Sequence, residues 1–157
     1  MALAAAAATA AAVSAAIDGA DQGEIVRFAQ IAAERTEQKR SGSRETVFAR
    51  AIASVHDDLS RLLELDADDV AHRYAPTDPL TIVPLAIALA TLMQSAESAI
   101  LLAANIGGDS DSVASIAGSI LGARCPDSVN EEWYEIVEAV NDHRLTQFGE
   151  NLNELRS

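Results

Sequence analysis

Residues 105–112 place two aspartates and two serines directly after a Gly-Gly pair, at the start of an uncharged helical run. Carboxylate and hydroxyl oxygens gathered in one tight turn suit a hard divalent cation such as Mg²⁺. A helix that needs only a start signal uses one such side chain rather than four. The sequence therefore predicts a metal site in this turn.

The spacing of the two aspartates restricts how they can act together. Side chains at positions i and i+2 of a regular helix lie about 200° apart and do not converge on one ion. Asp109 and Asp111 meet only if Asp109 lies outside the helix, in the turn made by the two glycines, with Ser112 adding a hydroxyl ligand from the first helical turn. The simpler alternative is that Asp109 or Ser110 caps the helix and Asp111 complements its dipole.

The elements that position this turn are expected to be helices. In the apolar run that follows the turn, Ala114, Gly118 and Gly122 recur at every fourth position, which predicts close approach of a neighbouring backbone. Residues 74–84 hold three of the four prolines and are expected to be irregular. No segment alternates like a strand, so the predicted class is a single all-α domain over residues 1–157. Helices are expected at 2–17, 21–39, 46–65, 70–73, 85–93, 95–105, 111–124, 130–140 and 144–155.

Composition and charge exclude several classes of function. The chain is 49% hydrophobic and 4% aromatic, and its many alanines are typical of closely packed helices. The 11 basic and 24 acidic residues give a net charge of −13, which argues against a nucleic-acid surface. The apolar stretch 1–17 is too short to span a bilayer and lacks the basic start of a signal peptide. We expect a cytoplasmic protein without a membrane segment.

The histidines and the cysteine are not expected to take part in chemistry. His56, His72 and His143 are far apart in sequence and flanked by charged residues, which favours solvated positions. Cys125 is the only cysteine, so it forms no disulfide framework, and it precedes Pro126 without a paired histidine.

Residues 103–123 resemble the C-terminal signature of the ADP-ribosylglycohydrolase family, and the resemblance extends to residues 81–86, Trp133 and residues 140–141. Members of this family fold as a compact orthogonal bundle of helices. They use two Mg²⁺ ions to cleave the glycosidic bond between ADP-ribose and an acceptor. The resemblance therefore implies a hydrolase whose ligand is ADP-ribose or an ADP-ribosylated substrate.

The resemblance also assigns roles to residues of the turn. It implies that Asp109, Asp111 and Ser112 bind metal. It further implies that the turn binds substrate, through Asn105, Gly107 and Gly108. No general acid or base is indicated, so the catalytic residue is left unassigned.

Two motifs of the family's N-terminal half are missing from the sequence. These are a Gly-Asp motif and a Thr/Ser-Asp-Asp metal motif; the pairs Asp57-Asp58 and Asp68-Asp69 lack the preceding hydroxyl residue. The resemblance thus implies the C-terminal half of the fold, completed by a companion chain or by an absent N-terminal half, and inactive alone. The alternative is a pseudoenzyme, or a helical module that binds ADP-ribose or a protein partner without turnover.

Overall fold

The secondary structure is helical, without a strand, throughout the residues that the computed structural model describes, which are 1–41, 46–62, 64–141 and 144–155. The predicted all-α class is confirmed. No helix within these ranges is both long and apolar enough to cross a membrane. The helices are α1 (Ala2–Ile17), α2 (Gln22–Ser41), α3 (Val47–Leu59), α4 (Ala67–Arg73), α5 (Pro79–Leu92), α6 (Ala96–Asn105), α7 (Ser110–Arg124), α8 (Glu131–Asn141) and α9 (Leu145–Glu154), with a 3₁₀ turn at Pro126–Ser128.

Helix α1 packs against α2 through small side chains. On α2, Ile25, Ala29 and Ala33 follow one another at four-residue spacing and are fully buried. Small residues on both helices allow a short distance between their axes. The opposite face of α1 exposes Leu3 and Ile17, so this uncharged helix is covered on one side. Its buried residues are Ala4, Ala5, Ala8, Ala12, Ala15 and Ala16.

Helix α3 is capped by a side chain from α2. The Glu37 carboxylate accepts the backbone N–H groups of Phe48, at 2.9 Å, and Ala49, at 3.4 Å. The helix ends at Leu59, whereas the expected helix ran to residue 65. After Leu59 the backbone tightens into turns, in which the Arg61 N–H donates to the Asp58 carbonyl and the Leu62 N–H to the Leu59 carbonyl. Of the remaining expected positions, residue 63 lies outside the described part of the chain.

Helix α5 is the most deeply buried element, with every residue from 82 to 91 inside the core. It contacts α1, α2, α3, α6 and α7. Sequence reasoning expected its start at residue 85, but it begins at Pro79, since a proline at the first helical position loses no hydrogen bond. Asp78 and Thr81 form a capping box there, and Pro84 lies within the helix.

Helix α7 places its two glycines under side chains of neighbouring elements. A Cβ on Gly118 would lie 3.0 Å from Cδ1 of Ile100 in α6, and one on Gly122 would lie 3.4 Å from Cγ2 of Val129. The expected neighbour was a backbone; branched side chains occupy that place instead. The other face of α7 is anchored in the core by Val113, Ala117, Ile120 and Leu121.

Helices α8 and α9, which we call the C-terminal arm, bury no residue. They are joined to each other by the hydroxyls of Tyr134 and Thr146, 2.5 Å apart, and by the Leu145 N–H group, which donates to the Glu138 carboxylate at 3.0 Å. Their apolar side chains therefore face solvent. The most exposed are Ile136, Val140, Phe148, Leu152 and Leu155.

Candidate metal centre

The turn before α7 has the backbone that converging aspartates require. Gly107 and Gly108 adopt φ angles of +75° and +62°, in the left-handed region that glycine enters without strain. Asp109 follows with φ −83° and ψ 56°, and the helix begins at Ser110. Asp109 thus lies outside the helix while Asp111 lies in its first turn.

The side chains of Asp109 and Asp111 are neighbours at the start of α7. Interaction with the Asp109 side chain is the largest cause that lowers the pKa of Asp111, followed by hydrogen bonds from the backbone N–H groups of Ser112 and of Asp111 itself. Asp109 occupies the N-cap position of α7 but its side chain makes no capping hydrogen bond, whereas the Asp111 carboxylate accepts N–H groups of the first turn, as the helix-dipole alternative expects. A cation between two neighbouring carboxylates would also offset their repulsion.

An open pocket of about 270 Å³ adjoins the Asp111 carboxyl group. Asp111, Ser112, Ser115 and Ile116 line it. Ser112 is half-buried and Ser115 exposed, so one carboxylate and two hydroxyl residues border the same opening. Ser115 was not singled out from the sequence, although its position four residues after Asp111 places both on one helix face.

The oxygen donors of the turn fit a hard cation but do not complete its coordination. Asp109, Asp111 and Ser112 offer carboxylate and hydroxyl oxygens, the donors that Mg²⁺ prefers. No group of three or more His, Cys, Asp or Glu side chains that could hold a metal occurs in the described ranges. This part of the chain therefore offers two acidic ligands and one hydroxyl.

Asn105 lies apart from the aspartates. Its side-chain amide donates to the Leu101 carbonyl at 2.7 Å, within its own helix. It lines a second pocket, of about 430 Å³, whose lining residues include Leu65, Asp66 and Met93 and none of those around Asp111. Asp109 and Asp111 both lie at the start of α7, whereas the Asn105 amide is bonded within α6. The substrate-binding role of Asn105, Gly107 and Gly108 stays a prediction.

Pro76 is a residue of the turn's surroundings that sequence reasoning missed. Its carbonyl accepts the Asp109 N–H at 2.6 Å and lies 2.5 Å from where a Cβ on Gly108 would sit. Pro76 is buried. A backbone acceptor leaves no signal in the residue types, and only the glycine at position 108 indicates that some backbone approaches closely.

Among the residues that the structure describes, no catalytic base lines this pocket. The other described groups with shifted pKa values are His56, whose pKa burial lowers, and Tyr74, whose pKa rises to about 12 through burial and a hydrogen bond to Asp58. Neither lines the pocket beside Asp111. His56 is half-buried, whereas a solvated position was expected; His72 is exposed, and His143 lies outside the described residues.

A family model described as ADP-ribosylglycohydrolase matches residues 1–157. No curated protein and no solved structure matches the chain. The family match extends over all nine α-helices given above and not over the aspartate turn alone.

Proposed function

Because the chain belongs to the ADP-ribosylglycohydrolase family, we propose that it contributes to hydrolysis of the glycosidic bond between ADP-ribose and an acceptor at a two-Mg²⁺ site. The glycine turn, which places Asp109 just outside α7 and Asp111 in its first turn, supports this proposal beside the family match. Like charges close together are unfavourable unless a positive charge lies between them. A metal-bound turn accounts for an arrangement that a helix start alone does not need.

The proposed ligands are Asp109, Asp111 and Ser112. Bound Mg²⁺ supplies Lewis-acid polarisation and a template for oxygen ligands. The neighbouring Asp109 side chain and the backbone N–H of Ser112 lower the pKa of Asp111, which favours the ionised form that a metal ligand needs. The buried face of α7 behind the turn holds these groups in place, which a metal centre requires.

The proposed ligand of the assembled site is ADP-ribose attached to an acceptor. Its pyrophosphate is anionic, and the chain itself carries a net charge of −13. A cation at the turn offsets both charges. Gly107 and Gly108 are exposed and present backbone without side chains, so they let a ligand approach closely. We include Asn105 as a substrate contact on the strength of the family resemblance.

We further propose that a second polypeptide segment completes the site. The described residues offer two acidic ligands at the turn and no base beside it. The C-terminal arm also exposes apolar side chains in numbers typical of a surface that packs against protein. A complementary segment that supplies the remaining ligands and covers apolar surface accounts for both observations.

The metal assignment is tested by replacing Asp111 with Asn. Mn²⁺ serves as the probe, because the electron paramagnetic resonance signal of the free ion decreases when the ion binds. We expect Asp111→Asn to weaken Mn²⁺ binding by about tenfold or more, since it removes a charged oxygen ligand. Asp127→Asn, on the exposed 3₁₀ turn, is the matched control and should bind as the unchanged chain does. If both variants bind Mn²⁺ with equal affinity, Asp111 is not a metal ligand and the assignment fails.

The hydrolase is tested by release of ADP-ribose from an ADP-ribosylated peptide. The purified chain alone should release none in the presence of Mg²⁺, and activity should appear with the complementary segment. Release by the chain alone would contradict the need for a second segment.

A non-catalytic module is the second candidate, favoured by the incomplete donor set among the described residues. It predicts Mg²⁺-dependent binding of free ADP-ribose without cleavage of the peptide, even when the complement is present. Calorimetry with ADP-ribose and the release assay on the same preparation separate the two functions.

A further inference from the structure

The position of Asp109 depends on a loop that is distant in sequence. Its backbone N–H donates to the Pro76 carbonyl at 2.6 Å, and the absence of a side chain on Gly108 is what allows that carbonyl to come so close. This hydrogen bond joins the turn before α7 to the residues before α5. Whatever fixes the Pro76 carbonyl therefore also restricts where Asp109 can lie.

The side chain of Thr81 fixes the residues that follow Pro76. Its hydroxyl oxygen accepts the backbone N–H groups of Thr77, at 3.2 Å, and of Asp78, at 3.4 Å. The same hydroxyl donates to the Asp78 carbonyl at 3.0 Å. One side chain on the rigid helix α5 thus binds both residues after the proline, and its single donor and its acceptor oxygen are in use.

We propose that Thr81 is a positioning residue for the metal turn, acting through Pro76 on the Asp109 backbone. The effect on metal binding rests on the proposed function; the restraint on Asp109 is independent of it. The rival role is that of a plain helix cap for α5, in which the Thr81 hydroxyl starts the helix and has no influence on the turn.

The two roles differ in which amide responds when the hydroxyl is removed. Thr81→Val keeps the shape of the side chain and removes its hydrogen bonds. We expect hydrogen exchange of the Asp109 amide to become about fivefold faster or more, because its acceptor is no longer held. The exchange rate of the Val113 amide, which donates to the Asp109 carbonyl at the start of α7, should change less. Thr81→Ser retains the hydroxyl and should restore the exchange rate.

Asp78→Ala is the matched control for capping. The Asp78 side chain accepts the Leu80 N–H at 2.7 Å, so its removal damages the cap but leaves the Thr81 hydroxyl bonds to the backbone. It should lower the denaturation midpoint without releasing the Asp109 amide. If Asp78→Ala and Thr81→Val accelerate that amide equally, or if neither does, Thr81 is only a cap and the proposal is overturned.

Mn²⁺ binding gives the second measurement. Thr81→Val should weaken binding severalfold, Thr81→Ser should recover it, and Asp78→Ala should leave it within twofold. Thr91→Val, the same change at the far end of α5, should affect neither the exchange nor the binding, since that hydroxyl donates only within its own helix. If the unchanged chain binds no Mn²⁺, the proposed metal site fails, while exchange at Asp109 still decides the role of Thr81.

Discussion

Gly108 lies against the backbone of Pro76 so closely that a Cβ at position 108 would stand 2.5 Å from the Pro76 carbonyl oxygen. The adjacent Gly107 has a similar left-handed backbone but open space, with no atom within 4 Å of its own Cβ position. Substitutions at Gly107 and at Gly108 therefore separate the effect of a left-handed backbone on stability from the effect of a close contact.

Gly108→Ala should destabilise the protein more than Gly107→Ala. The Gly107 change introduces only left-handed strain, about 1–2 kcal/mol. The Gly108 change adds a clash with backbone, which cannot move aside as a side chain can, so at least twice that loss is expected. Urea unfolding of both variants measures the difference. Equal losses would mean that the Pro76 loop shifts freely.

Glu37→Ala should destabilise the fold by about 1 kcal/mol, the usual effect of losing a good helix cap. The carboxylate accepts two backbone N–H groups at the start of α3, where negative charge is favoured. Glu34→Ala is the control, because Glu34 lies exposed on the same helix and its carboxylate accepts from the Gln38 side chain. Matching denaturation midpoints for the two variants would show that the cap contributes nothing.

Arg124→Met should destabilise by about 2 kcal/mol, because it removes charged donors from two backbone carbonyls. The guanidinium donates to the Thr91 carbonyl at 3.3 Å and to the Met93 carbonyl at 2.6 Å, where α5 ends. Methionine preserves the packing of the stem. Arg61→Met breaks an exposed ion pair and should lower the free energy of unfolding by less than about 1 kcal/mol. Thermal unfolding of both variants measures the difference. The reverse order would be inconsistent with the assigned contacts.

The protein should lose stability below about pH 6.5 because of His56. Burial lowers the pKa of this imidazole from 6.5, although the Asp57 carboxylate opposes the shift. As pH falls through 6.5 the unfolded chain takes up the proton before the folded chain does, so the free energy of unfolding decreases. His56→Gln should reduce this slope in urea unfolding between pH 7.5 and 5. His72→Gln, on the exposed face of α4, should retain it.

The helices were largely predictable because their signals are local. The limits of α1 were expected at residues 2 and 17 and are found there, since alanine favours a helix and Asp18-Gly19 ends it. The start of α5 is less predictable, because prolines are typical of irregular chain, yet Pro79 begins the helix and Pro84 lies inside it. The capping pair Asp78 and Thr81 is the local signal for this start.

The candidate site was predictable in its residue types and not in its surroundings. The left-handed backbone of Gly107 and Gly108 and the position of Asp109 outside α7 are as the residue types indicated, while the convergence of Asp109 and Asp111 on a metal ion stays a prediction. The Pro76 carbonyl is a backbone acceptor that any residue provides, so no residue type indicated it. The neighbour of Gly118 is the Ile100 side chain and not a backbone. Which atoms of α6 lie over this glycine depends on how the two helices pack, and the sequence of α7 alone does not show that.

The C-terminal arm has a consequence for how the protein can be observed in solution. Helices of 11 and 10 residues that bury no side chain are near the length at which a helix in water is only marginally populated. The arm's helical content therefore depends on whether something covers its apolar side. Amide hydrogen exchange at residues 131–154 is thus an intrinsic reporter of whether the arm is covered, and it needs no label and no knowledge of the reaction.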